Sequence, residues 1–281
     1  MPPASAYRDI SVILALAGIL FIAWITVVPF GFVGAPVAAA ITIILTLAFA
    51  CLGTDHSIQY WSAAEKPAQF PRIAAVIAAA LSLHLIIGGV IQTLEWAFIP
   101  EPIIALSVWG LVPLAALRFG FLQWPRRCAK PRRSEFLAVA GAAILFAVAF
   151  GALATLNGGR DLSFSTSLLA RAANVASLAT VEEIVFRVLL VTALLQASRS
   201  KIYALIISSF LFGLGHAPLV LSQPLIAGDW PLLLEAAKAY LPGLVWQVGV
   251  GFILGAVWLR TGSIILIAVV HTILNVNLML G

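Results

Sequence analysis

Nine runs of mostly apolar residues dominate the chain, at 10–29, 34–52, 72–92, 102–119, 135–156, 166–195, 202–220, 240–259 and 263–280. An α-helix rises about 1.5 Å per residue, so about 20 apolar residues cross the hydrocarbon core of a bilayer. In lipid, backbone N–H and C=O groups have no water to bond, which favours segments that satisfy them internally. The long alternating pattern of barrel strands is absent. The expected fold is therefore all-α: a polytopic transmembrane helix bundle of about 8–9 spans, one integral membrane domain over 1–281. Charge scarcity agrees. Only 10% of residues are charged, against roughly 25% in soluble domains, and mean hydropathy is +1.09.

Basic residues set the expected orientation. The loop at 118–135 holds Arg118, Arg126, Arg127, Lys130, Arg132 and Arg133 against Glu135. The positive-inside rule makes it cytoplasmic. Counting spans outward puts Arg8, Arg199, Lys201 and Arg260 on the same side. It puts Glu95, Glu101 and the 218–240 segment outside. The expectation is an inner- or plasma-membrane protein with its N-terminus cytoplasmic and membrane lipid as its constant partner. The +5 net charge then reports orientation, not nucleic-acid binding. Residues 221–239 could lie as a surface helix at the outer interface. Arg8 precedes an apolar run from Ile10 to Val28 that exceeds the usual 7–15-residue signal core, so it reads as a retained span. Cys51 and Cys128 form no CxxC pair and no disulfide framework.

Ionisable residues then single out the second half. A charge at bilayer depth costs at least about 2.5–3.5 kcal/mol, so its presence there calls for a use. Glu182, Glu183, Arg187, His216 and His271 all fall within spans, with Asn275 and Asn277 nearby. Glu183 and Arg187 are four apart, on one helix face, and can pair. Glu182 is left outside that pair, on another face, where a carboxylate can serve as general base. The plain alternative is a Glu–Arg clamp between helices. Gly213 and Gly215 allow a close neighbour beside His216. His271 and Asn275 share a face and can both donate hydrogen bonds, as a catalytic pair or as glue between helices.

Depth favours a shared site. Glu182 lies roughly 20 Å from the cytoplasmic end of its span, His216 roughly 21 Å, Asn275 roughly 18 Å and His271 roughly 12 Å. His84 lies in the third span and reads as a buried hydrogen bonder, and His56 lies in a loop. Ser208 and Ser209 have no GxSxG elbow and no triad partner.

The runs Glu182-Glu183-xxx-Arg187, Phe212-xxx-His216 and His271-xxx-Asn275, in that order, resemble the three-motif signature of the CAAX protease and bacteriocin-processing (CPBP) family of intramembrane proteases. The stretch Gly251-Phe-Ile-Leu-Gly255 through Arg260-Thr-Gly-Ser263 is similar to that family's lead-in to its last motif. The resemblance covers roughly 140–281. It divides the chain into motif-free spans at 1–135 and a catalytic core at 136–281. It implies a helix bundle around a cavity, and hydrolysis of a peptide bond in a membrane-anchored peptide or protein, such as a prenylated CAAX or leader-peptide substrate. It also implies roles: Glu182 activates water with His216, His271 and Asn275 stabilise the oxyanion, and Glu183 and Arg187 position the first motif.

No cofactor is expected. Glu182, His216 and His271 are the set that zinc would use, although no HExxH helix accompanies them. Two further readings stand beside the protease: an ion-coupled transporter, since intramembrane charge also marks ion paths, and a catalytically idle scaffold or immunity protein.

Overall fold

The structure is a computed structural model and describes residues 69–93, 101–125, 133–157 and 166–275. Among the described residues every regular element is helical and none is a strand. Helix α1 is Gln69–Thr93. Helix α2, Glu101–Leu106, passes through a π-helical turn at Ser107–Leu111 into α3, Val112–Arg118. Helix α4 is Arg133–Asn157. Helix α5, Thr166–Glu183, passes through a longer π segment at Ile184–Val191 into α6, Thr192–Ser198. Then come α7 (Lys201–Gly215), α8 (Pro218–Ala227), α9 (Trp230–Thr261) and α10 (Ile264–Leu274).

The helix boundaries follow local chemistry. Ser200, Asp229 and Ser263 each accept the backbone N–H three residues on, opening α7, α9 and α10. These side-chain oxygens satisfy donors that a helix start leaves orphaned. Between α9 and α10 the chain reverses in two residues. Gly262 takes φ +55°, a left-handed conformation that costs glycine little. This is the structural content of the Thr-Gly-Ser run.

The core lies where α9 packs along α7, with α10 against α4 and α5, and α8 against α1. Close approach of α7 and α9 depends on Gly251. A Cβ there would lie 3.0 Å from the Ser209 Cα. Phe212, Leu205, Phe252 and Leu254 are fully buried in this interface. Large apolar side chains face outward elsewhere, with Ile265 at 75% and Leu145 at 72% exposure. Apolar residues buried inside and exposed outside suit a bundle surrounded by lipid.

Seven of the nine expected spans fall on these helices, and those at 10–29 and 34–52 lie outside the described residues. The expected run 166–195 covers α5, the π segment and part of α6. Among the described residues, two helical stretches are long and apolar enough to cross a membrane, Gln69–Ile91 and Gly243–Thr261. The pair Lys201–Gly215 and Val220–Ala227 would make a third if it is one span, bent by 61°. The apolar helices at Ile103–Arg118, Phe136–Val148 and Ile264–Leu274 are shorter. The 221–239 segment does not form one surface helix. It is divided between the end of α8 and the first turns of α9, broken at Gly228 and Asp229. The basic loop at 126–132, both cysteines, His56 and Asn277 lie outside the described residues.

Candidate active site

Three helix interruptions bring the ionisable residues together. Glu182 and Glu183 end α5 where the π segment begins, His216 caps the C-terminus of α7, and His271 sits in the last turn of α10. π segments recur at functional sites, because the wider turn redirects side chains without ending the helix.

Glu183 is the buried centre of the cluster. Its Oε2 lies 3.2 Å from Arg187 Nε, and its Oε1 lies 2.8 Å from His271 Nδ1. The pairing with Arg187 is the one expected from the i, i+4 spacing. The contact with His271 was not legible, because it joins residues 88 apart. The Arg187 contact is an ion pair by distance, and its angle falls short of a hydrogen bond, so Oε2 has no hydrogen-bond partner among the described residues. The guanidinium instead lies over the Phe212 ring, 4.1 Å from its centroid. A cation over an aromatic face is favourable, more so when desolvated.

Glu182 faces the two histidines. Its Oε1 is 3.8 Å from His216 Nε2, and its Oε2 is 3.7 Å from His271 Nε2. The Glu182 side chain is 12% exposed, whereas Glu183 is fully enclosed. The sequence placed His271 at a shallower level than Glu182. The two side chains meet all the same, because each reaches well beyond the backbone heights that residue counting measures.

His216 Nδ1 lies 3.0 Å from the Phe212 carbonyl, one turn earlier. A carbonyl can only accept, so Nδ1 carries a proton, and Nε2, turned toward Glu182, is an acceptor whenever the ring is neutral. The His216 N–H and the Tyr240 hydroxyl both donate to the Gly213 carbonyl, which fastens this turn to α9. Phe212 stands edge-on to both imidazoles, at 4.8 Å from His216 and 5.6 Å from His271. Asn275 caps α10, its N–H bonded to the His271 carbonyl at 3.1 Å. It is therefore one turn beyond His271, as the motif spacing requires.

Among the described residues no group of three His, Cys, Asp or Glu side chains is arranged to hold a metal ion. Ser208 donates to the Leu205 carbonyl, and Ser209 is buried against Gly251, so neither has the setting of a nucleophile.

Residues 164–277 match the family model described as type II CAAX prenyl endopeptidase Rce1-like. That stretch is similar to the Rce1-like family, in agreement with the CPBP resemblance of the three motifs, and all seven motif residues named above fall inside the match. No curated protein and no solved structure matches the chain.

Proposed function

We propose that the protein is an intramembrane endopeptidase that cleaves a membrane-anchored, prenylated CAAX-type peptide with water activated by Glu182. The observation that carries this reading is the Glu182 carboxylate bracketed by two imidazole Nε2 atoms at 3.8 and 3.7 Å. These gaps exceed a direct hydrogen bond and suit a water shared between the three groups.

Tautomers assign the work. The neutral His216 ring presents a lone pair at Nε2, so it accepts one hydrogen bond from the water while Glu182 takes the other proton. The water oxygen then bonds to the scissile carbonyl carbon. The proton held on Glu182 passes to the departing amide nitrogen as the C–N bond breaks.

His271 has the complementary task. Its Nδ1 donates to the Glu183 carboxylate, so Nε2 can donate to an oxyanion only when the ring is an imidazolium. The Glu183 carboxylate holds the orientation of that ring. Asn275, one turn on, would supply a second donor. Oxyanion donors of this kind are worth roughly 10²–10³ in rate.

An open apolar groove of about 380 Å³ lies on the outer face of α5 and α10, lined by Ala176, Thr180, Ile265, Ala268, Thr272 and their neighbours. A hydrocarbon chain suits such a lining, which supports a lipid-anchored substrate. The N-terminus is assigned to the cytoplasm and the protein to the inner or plasma membrane, on the basic loop at 118–135.

Reconstituted protein offered a farnesylated CAAX-type peptide tests the reading. Cleavage that Glu182→Gln abolishes and a chelator leaves intact supports it. Cleavage that a chelator abolishes and zinc restores would instead make Glu182, His216 and His271 metal ligands. Wild-type protein that is folded and cleaves nothing would favour the scaffold or transporter readings.

A further inference from the structure

Among the described residues, Trp109 joins the motif-free half of the chain to the site. Trp109 lies in the π turn at Ser107–Leu111 and is almost fully buried. Its indole N–H donates to His84 Nδ1, 3.1 Å away on α1. Its ring packs against Phe186, with centroids 5.4 Å apart. Phe186 stands edge-on to Phe212 at 5.3 Å, and Phe212 touches both His216 and His271.

Gly215 shows where this pressure is applied. A Cβ there would sit 3.2 Å from Phe186 Cζ and 3.6 Å from Trp109 Cζ2. The two rings thus lie directly on the backbone that precedes His216. The His216 turn is held on one side by Tyr240 at the Gly213 carbonyl, and on the other by Trp109 and Phe186 at Gly215.

We propose that Trp109, oriented by its bond to His84, is a positioning residue for His216. This rests on the protease reading for its kinetic consequence, not for its geometry. An indole has two flat faces and one N–H, so a single acceptor fixes which way the ring lies. His84 supplies that acceptor. With the bond lost, the indole is free to turn within its pocket, and the rings that back Gly215 shift with it. A displacement of about 1 Å at a reacting group can cost about 10²-fold in rate, so a fraction of that distance suffices.

The variants are His84→Leu, which removes the acceptor, His84→Asn, whose Oδ1 stands near the place of Nδ1, and Trp109→Phe, which removes the donor. Each is made in the full chain in lipid nanodiscs. Cleavage of a farnesylated CAAX-type peptide is measured as separate kcat and KM. The ring resonances of His216 and His271 are read in protein labelled with ¹³C-histidine, where only four histidines need assignment. His84→Leu and Trp109→Phe are expected to lower kcat about tenfold with KM within about twofold, the pattern of a lost transition-state alignment. Both should move the His216 resonances, and His84→Asn should restore both readouts. Wild-type kcat and unmoved His216 resonances in His84→Leu would overturn the proposal. So would a His84→Asn protein as impaired as His84→Leu, which would make this contact packing alone. If the wild type cleaves no peptide, the protease reading fails by itself. The resonances then decide: a shift in His216 upholds the positioning, and its absence overturns it.

Discussion

Glu183→Gln should unseat the fold, and Glu182→Gln should leave it standing. The two carboxylates are adjacent in sequence and differ in what they hold. Glu183 is fully enclosed, 2.8 Å from His271 Nδ1 and 3.2 Å from Arg187 Nε. Gln keeps its size and removes its charge. Arg187, itself 1% exposed, then lies buried without its anchor. Breaking a buried ion pair by removing one partner costs about 3–5 kcal/mol. Glu182 stands 3.7 and 3.8 Å from its imidazoles and keeps partial exposure, so its neutral isostere should change stability by less than about 1 kcal/mol. Its loss as general base should cost about 10²–10⁴ in rate. Thermal melts followed by intrinsic fluorescence, to which eight tryptophans contribute, give the stability order in detergent or nanodiscs. Cleavage of a farnesylated peptide gives the rate. Equal melting losses in the two variants would refute the division of labour, because Glu182 would then belong to the same clamp. A Glu183→Gln protein that melts like wild type would refute the buried clamp itself.

Three further outcomes follow from the same geometry. Gly251→Ala should lower stability by about 1–3 kcal/mol, since its Cβ would meet the Ser209 backbone at 3.0 Å. Gly255→Ala would meet only the Leu205 side-chain end at 2.5 Å and should cost less, offset by about 1 kcal/mol of helix propensity; parallel melts of the two variants check the order. Arg187→Lys keeps the charge and loses the flat cation lying 4.1 Å over Phe212, so it should melt lower than wild type and cleave more slowly. His216→Gln should lower kcat more than stability, because His216 is only part-buried and caps a helix instead of filling the core; steady-state kinetics beside a melt separates the two.

The helical character and the second-half site were legible because lipid makes charge expensive. Glu182, Glu183, Arg187, His216 and His271 stood out against an apolar background, and the i, i+4 rule found the Glu183–Arg187 pair. That rule could not find the Glu183–His271 bond, since helical spacing links only residues on the same helix. Trp109 and Phe186 were hidden for a different reason. An aromatic residue in an apolar span looks the same whether it faces lipid or an imidazole. His84 read as a buried hydrogen bonder, and it is one; its partner was invisible without the fold. Hydropathy also joined α5 and α6 into one run, because a π segment changes hydrogen-bond register without changing composition.

The helix interruptions explain why these residues can meet at all. Side chains on regular helices point at fixed angles, and three straight helices present few ways to aim a carboxylate and two imidazoles at one point. Here α5 widens into a π segment right after Glu183, α7 stops at Gly215, and α10 stops at Leu274. Each break frees backbone carbonyls, and irregular backbone at membrane depth is tolerated where it is buried in protein or lines a water-filled cavity. At α7 the His216 ring donates to the Phe212 carbonyl, and the Tyr240 hydroxyl donates to the Gly213 carbonyl. The bond that satisfies the broken backbone is therefore the same bond that sets the His216 tautomer. Ending the helix and preparing its Nε2 as an acceptor are one structural event. Any residue four before the histidine would supply that carbonyl; the reason for a phenylalanine there is its ring, which carries Arg187.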